Sequence, residues 1–307
     1  MERTGAWRVR GKFVLAALAA LVIGHVFADI DLPTKFTNTG TVANTRHNLT
    51  QRPPAGGVSG VIMDPYRNDY GEVCVYCHTP HGANTTINAP LWNRTNPGTS
   101  YTVYNLTGSQ ASGNTVTQPG ANSLACLSCH DGIVAVDSII NMPGSGKYNA
   151  GQATAQNDGF LNASWNNSSG PDATVHLGMA SCLVCHAPGA FVGAGATDFT
   201  AAVLGTDLRD DHPVGVRYPA TGAGVDFNAP TATRANIRFF DTNGNGRPDK
   251  NEIRLYDSGE GFEVECASCH DPHGVGPGLG GSGGPFNKTF LRLSNSGSAV
   301  CLSCHVK

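Results

Sequence analysis

The chain of 307 residues contains ten cysteines, and all ten fall into five copies of one spacing. The copies are Cys74-Val-Tyr-Cys77-His78, Cys126-Leu-Ser-Cys129-His130, Cys182-Leu-Val-Cys185-His186, Cys266-Ala-Ser-Cys269-His270 and Cys301-Leu-Ser-Cys304-His305. Two thiols three positions apart reach the two vinyl groups on one haem edge, and the imidazole one place further on reaches the iron. Zinc sites built from Cys pairs need two pairs per metal, or a pair plus distant His. Five pairs cannot be shared evenly in that way, and the His that follows every pair would have no role. A disulfide framework leaves the same His unexplained. The expectation is therefore five haem c groups. Cys74, Cys77, Cys126, Cys129, Cys182, Cys185, Cys266, Cys269, Cys301 and Cys304 would form the thioethers. His78, His130, His186, His270 and His305 would be the proximal iron ligands.

Six further histidines remain, and His25 lies in an N-terminal leader described below. That leaves His47, His81, His176, His212 and His273, one for each iron, as expected distal ligands. Met63, Met142 and Met179 are alternatives that would raise the potential of the iron they bind. His81 and His273 each follow a proximal His by three residues, in Cys-His-Thr-Pro-His-Gly and Cys-His-Asp-Pro-His-Gly. Three residues span at most about 11 Å, and Pro80 and Pro272 stiffen the link. Two His on opposite faces of one haem need Cα atoms roughly 12 Å apart, given iron–nitrogen bonds near 2 Å. Each of these two must therefore reach a different haem from its own motif's.

The same strings mark an internal repeat. Pro90-Leu-Trp-Asn-Arg and Ser123-Leu-Ala-Cys-Leu-Ser-Cys-His follow the first copy; Pro285-Phe-Asn-Lys and Ser298-Ala-Val-Cys-Leu-Ser-Cys-His follow the second. This reads as a duplicated two-haem module, about 70–130 and 262–305, with the third haem at about 176–190 between the copies. In that scheme His81 serves the second haem and His273 the fifth. His47, His176 and His212 serve the first, third and fourth in some order.

A second metal site is also expected. Asp241-Thr-Asn243-Gly-Asn245-Gly-Arg247-Pro-Asp249-Lys-Asn-Glu252 matches the twelve-residue calcium loop: side-chain oxygens at positions 1, 3, 5, 9 and 12, Gly at 6 and the Arg247 carbonyl at 7. The flanks Ile237-Arg-Phe-Phe and Glu252-Ile-Arg-Leu-Tyr read as short strands rather than helices. One Ca2+ with a structural role is the expectation, and a plain Asn/Gly turn is the alternative.

Composition fits a chain that wraps cofactors. Charged residues make up 14%, aromatics 7%, and Gly and Pro together number 57. Ordinary soluble domains carry roughly 25% charge, so there is little material here for a large side-chain core. Arg3, Arg8, Arg10 and Lys12, then the apolar run Phe13 to Ala28, read as a secretory signal peptide over 1–28. Removing it takes the net charge from −3 to −6 over residues 29–307. Nothing in that balance favours nucleic acid, and no second long apolar run predicts a membrane span in the mature chain. There is no glycine-rich phosphate loop and no nucleophile elbow, so an enzyme is not expected. The expected fold is mostly irregular, with short helices at the haem motifs and a few short strands. It would form one haem-cored, elongated domain over 29–307.

Several strings resemble a known family: Tyr70-Gly-Glu-Val-Cys-Val-Tyr-Cys-His-Thr-Pro-His-Gly-Ala, Leu91-Trp-Asn-Arg, Leu208-Arg-Asp-Asp-His-Pro-Val and Phe290-Leu-Arg-Leu-Ser-Asn. They are similar to the exported multihaem c-type cytochromes of metal-reducing bacteria, most of all to those that polymerise into extracellular filaments. The similarity covers most of 38–307. It implies bis-His haems in a continuous, conductive chain and identical subunits end to end. It also implies an N-terminal His, here His47, that ligates a neighbour's haem. The motif count of five departs from that of the filament-forming members. The expected function is electron transfer, as a filament subunit passing electrons to outside acceptors at the cell surface or beyond. The alternatives are a soluble periplasmic carrier that feeds a reductase or other redox proteins and, less favoured, an oxyanion reductase with an open iron.

Overall fold

The structure is a computed structural model that describes residues 36–50, 70, 72–87, 89–94, 98–104, 115–141, 178–189, 198–222, 225–276 and 284–306. The leader at 1–28, Met63, Met142 and the candidate ligand His176 lie outside the described residues, as does the side chain of Cys185.

Helical turns form at every Cys motif. Helix α1 spans Ala121–His130, α2 Met179–His186, α3 Cys266–Cys269 and α4 Ala299–Cys304. Ala, Leu, Met, Ser and Cys dominate these stretches, with no Gly or Pro to break them. The first motif forms only a 3-10 turn, Cys74–Tyr76, where β-branched Val73 and Val75 flank Cys74 and weaken helix formation. Glu265 and Ser268 close a reciprocal capping box at the start of α3, which satisfies two amides that the helix itself leaves unpaired.

Five short strands make one antiparallel sheet in the order β1-β5-β4-β3-β2. They are β1 Val216–Arg217, β2 Ala232–Arg234, β3 Ile237–Phe239, β4 Arg254–Asp257 and β5 Phe262–Val264. Strands β3 and β4 occupy the two flanks that read as strands in the sequence, paired Ile237 to Tyr256 and Phe239 to Arg254. Strands β1, β2 and β5 have two or three residues each, too few for an alternating pattern to show.

Among the described residues the apolar interior is divided into three small clusters. Tyr70, Tyr76, Ala135 and Ile139 pack beside the first motif; Tyr101, Leu127 and Leu208 pack on α1; Val216, Leu255 and Val264 line the sheet. Among the described residues no helix is long and apolar enough to cross a membrane. Buried polar side chains hold these clusters together. Arg94, 1% exposed, donates to Ser128 Oγ and to the carbonyls of Ser128, Ala135 and Val136 at 2.7–3.1 Å. It thereby ties the first motif's flank to the end of α1.

Candidate haem-binding site

Three of the five motifs are held by the same backbone clamp. At the first, Thr79 N–H donates to Leu91 O, Asn93 N–H donates to Cys77 O, and His78 bridges Trp92. At the fourth, Asp271 N–H donates to Phe290 O, Arg292 N–H to Cys269 O, and His270 bridges Leu291. At the fifth, Val306 N–H donates to Asp226 O, Asn228 N–H to Cys304 O, and His305 bridges Phe227. One side chain in each clamp grips the carbonyl at the motif's second position. Asn93 Nδ2 holds Val75 O at 2.7 Å, Arg292 Nε holds Ala267 O at 2.9 Å, and Asn228 Nδ2 holds Leu302 O at 3.0 Å. The spacing of the cysteines gave no sign of this device.

The clamp sets the register of the duplication. Leu91 and Phe290 are equivalent, and both have positive φ, 54° and 60°. An L-residue adopts that conformation only when its surroundings impose it. Pro90 is therefore equivalent to Thr289, not to Pro285 as the strings alone align.

Backbone carbonyls set the orientation of three motif imidazoles. His78 Nδ1 is 2.8 Å from Pro90 O, His130 Nδ1 is 2.7 Å from Ala202 O, and His270 Nδ1 is 2.7 Å from Thr289 O. A carbonyl only accepts, so Nδ1 carries the proton and Nε2 keeps its lone pair for a metal. His47 Nδ1 makes the same bond to Pro272 O at 3.2 Å. Burial lowers the pKa of His130, His212 and His270 and takes that of His47 down to about 4, so these rings stay neutral at pH 7. His186 is set differently, with Phe199 stacked flat on it at 4.0 Å and 1°.

His273 has a carboxylate partner: its Nδ1 donates to Asp271 Oδ1 at 3.0 Å, while buried Arg292 reaches Asp271 Oδ2 at 3.3 Å. Burial works against the Asp271 carboxylate. The hydrogen bond from His273 and the charge of Arg292 outweigh it and hold the group at about 2.

Three motif imidazoles each have a second imidazole nearby, near-parallel at 11° for His78 and His273 and edge-on at 87° for His47 and His130 and 77° for His212 and His305. The ring centroids of His78 and His273 are 6.0 Å apart, those of His47 and His130 6.2 Å, and those of His212 and His305 6.4 Å. Two imidazoles on opposite sides of one iron have centroids about 6.2 Å apart, from metal–nitrogen bonds near 2 Å and about 1.1 Å from Nε2 to each centroid. These residues fit a bis-His haem at the first, second and fifth motifs.

The pairing differs from the sequence expectation. His273 stands opposite His78 of the first motif, not His305 of the fifth, whose partner is His212. His130 of the second motif lies beside His47, not His81. Within the chain, His47 Nδ1 is 3.2 Å from Pro272 O and its ring lies 4.5 Å from that of Phe290. The physical reason is that the two modules pack against each other as well as within themselves. The side chains of Cys126 on α1 and Cys266 on α3 lie within hydrogen-bonding reach. Cys77 faces Cys129, and Cys269 faces Cys304. The nine cysteines whose side chains are described form no disulfide.

The 241–252 loop joins β3 to β4. Its oxygens are used within the loop itself. Asp241 accepts from the amides of Gly244, Asn245 and Gly246, Glu252 from those of Thr242 and Asp249, and Asp249 from the side chains of Asn243 and Asn245. Arg247 gives its N–H to Asn245 Oδ1. Among the described residues no group of three or more His, Cys, Asp or Glu side chains is disposed to hold a metal ion, so the geometry adds nothing to the calcium expectation. Comparison with known proteins finds no family model that matches the chain and no curated protein similar to it.

Proposed function

We propose that this chain is an exported electron-transfer protein carrying five covalently attached c-type haems, with both axial positions of every iron filled by histidines of the same chain. The observation that carries this reading is the set of three imidazole pairs, at 6.0, 6.2 and 6.4 Å, each containing one motif histidine. Two motif histidines, His186 and His270, and two distal candidates, His81 and His176, remain. The duplication assigns His81 to His270: His273, three residues after one motif, serves His78, so His81, three residues after the other, serves His270. His176 then serves His186.

A bound c-type haem supplies a one-electron couple, and bis-His ligation places it lower than His/Met ligation does. The chain's residues do the rest. Backbone carbonyls fix His78, His130 and His270 by Nδ1, and a second histidine on each iron would leave no position there for a substrate. The reductase reading loses support for that reason.

The ligand count closes within one chain, which favours a self-contained carrier over a polymer joined through His47. Haem content and spin state test the proposal. It predicts five haems per chain, all low-spin in the ferric protein, and one high-spin haem in His273→Ala. Fewer haems, or a high-spin haem in the unaltered protein, would overturn it.

A further inference from the structure

Two buried carboxyl groups have no role in holding a haem. Glu263 on β5 and Glu265 at the start of α3 are each 1% exposed. They are hydrogen-bonding neighbours. Glu263 Oε2 accepts from Ser258 Oγ at 2.7 Å, and Glu265 Oε1 accepts from Gly120 N–H at 2.9 Å. Their other oxygens, Glu263 Oε1 and Glu265 Oε2, are buried with no donor. Two such acceptors side by side, out of water, are satisfied by one shared proton. Gly120 leaves the space for this: a Cβ there would fall 2.2 Å from Ser258 Oγ and 2.8 Å from Glu265 Oε1.

The pair joins the surface to the two central motifs. Ser258 is exposed in the β4–β5 turn and touches Glu263. Glu265 is bonded in sequence to Cys266, whose amide donates to Ser123 Oγ on α1 at 2.8 Å. The groups facing the pair are Tyr256 on β4 and Arg217 on β1, both opposite Glu263 in register, and Ser123 on α1 and Cys266, which act on Glu265; Cys126 and Asp211 act on Cys266.

We propose that Glu263 and Glu265 form a redox-linked proton site, taking up a proton when the chain is reduced and releasing it on oxidation. This rests on Cys126 and Cys266 carrying haem. One electron arrives from a one-electron donor, and up to one proton passes from water through Ser258 Oγ to a carboxylate oxygen. Reoxidation returns both, and no other bond is made or broken. Added negative charge nearby raises the proton affinity of the pair, so the potential falls as pH rises. Burial already pushes Glu265 up to about 8, so uptake on reduction is expected around and above that pH, where the oxidised pair has given its proton up.

The test is infrared redox difference spectroscopy of the full haem-loaded protein, in water and in deuterium oxide, with potentials measured from pH 6 to 9. The expected result is a carboxylic-acid carbonyl band that shifts in deuterium oxide and is lost in both Glu263→Gln and Glu265→Gln. The fall of potential with pH should flatten in both variants. A band and a slope unchanged in both variants would place the proton elsewhere, on a haem propionate for example, and overturn the proposal. A wild-type protein with neither band nor slope would also overturn it, whatever the variants' fold. Protein that carries no reducible haem would instead fail the electron-transfer reading itself.

Discussion

The clamp segments of the two modules, 74–93 and 266–292, hold their motifs with the same backbone bonds but with different charges. In the first copy Asn93 grips the motif carbonyl, and Thr79 Oγ donates to His81 O at 2.9 Å. In the second copy Arg292 does the gripping, and Asp271 stands where Thr79 stands. The neutral copy needs nothing more. The charged copy has buried an ion pair, and its acid is also bonded to His273. A clamp position is therefore defined by which carbonyl it reaches, while the charge it carries is free to do a second job. Here that job is to give His273 a carboxylate partner, which under the proposed ligation would make the ring a stronger donor to iron.

Substitutions at the clamp give the largest expected difference between the copies. Arg292→Ala strands Asp271 in a site from which water is excluded and frees the carbonyls of Ala267 and Lys250. The expected loss is about 3–5 kcal/mol in denaturant unfolding of the haem-loaded protein. Asn93→Ala removes neutral bonds only, and about 1–3 kcal/mol is expected. Equal losses would mean that the ion pair is not what distinguishes the copies.

Ligand removal tests the crossing between modules. His273→Ala should open the iron at the first motif and His81→Ala the iron at the fourth, each giving one high-spin haem in five. Resonance assignment of the altered haem by the neighbouring Trp92 or Leu291 tells them apart. An altered haem at the fifth motif in His273→Ala would restore the pairing expected from sequence.

A smaller effect concerns potential. Asp271→Asn should raise the potential of the first-motif haem alone, because its distal imidazole loses the carboxylate, and Thr79→Asp should lower that of the fourth. Unmoved potentials in a folded protein would reduce Asp271 to a packing role.

The smallest effect is on acid stability. Asp271 has a folded pKa of about 2, below the ordinary value of about 3.9 for an unfolded Asp. Its contribution is therefore complete above pH 4 and is lost as pH falls towards 2. Between pH 4 and 2 wild type should lose more stability than Asp271→Asn, as read from unfolding at each pH.

The positions of the Cys motifs and the fact of a repeat were legible in the sequence, because both are recurring strings of fixed spacing. The hairpin strands β3 and β4 were legible for a similar reason: a turn-rich loop separates two β-prone runs. The partners of the distal histidines were not. His47 and His130, or His78 and His273, are brought together by packing between modules, and no local pattern records a contact across 83 or 195 positions. The register of the repeat misled as well. Pro285 resembles Pro90 in type, while the true anchor is the positive φ shared by Leu91 and Phe290, a backbone property that leaves no signature in residue type here. Glu263 and Glu265 were invisible for the opposite reason: two acids in Phe-Glu-Val-Glu-Cys look like solvated charge until the fold buries them.

Electron paramagnetic resonance of the ferric, haem-loaded protein, purified at the mass of a single chain, tests the central claim most directly. The account predicts low-spin bis-His signals for all five haems in the isolated monomer, because His47 and the other four distal ligands come from the same chain. A high-spin haem in the monomer that turns low-spin only when chains assemble would contradict it, and would return His47 to a neighbouring subunit.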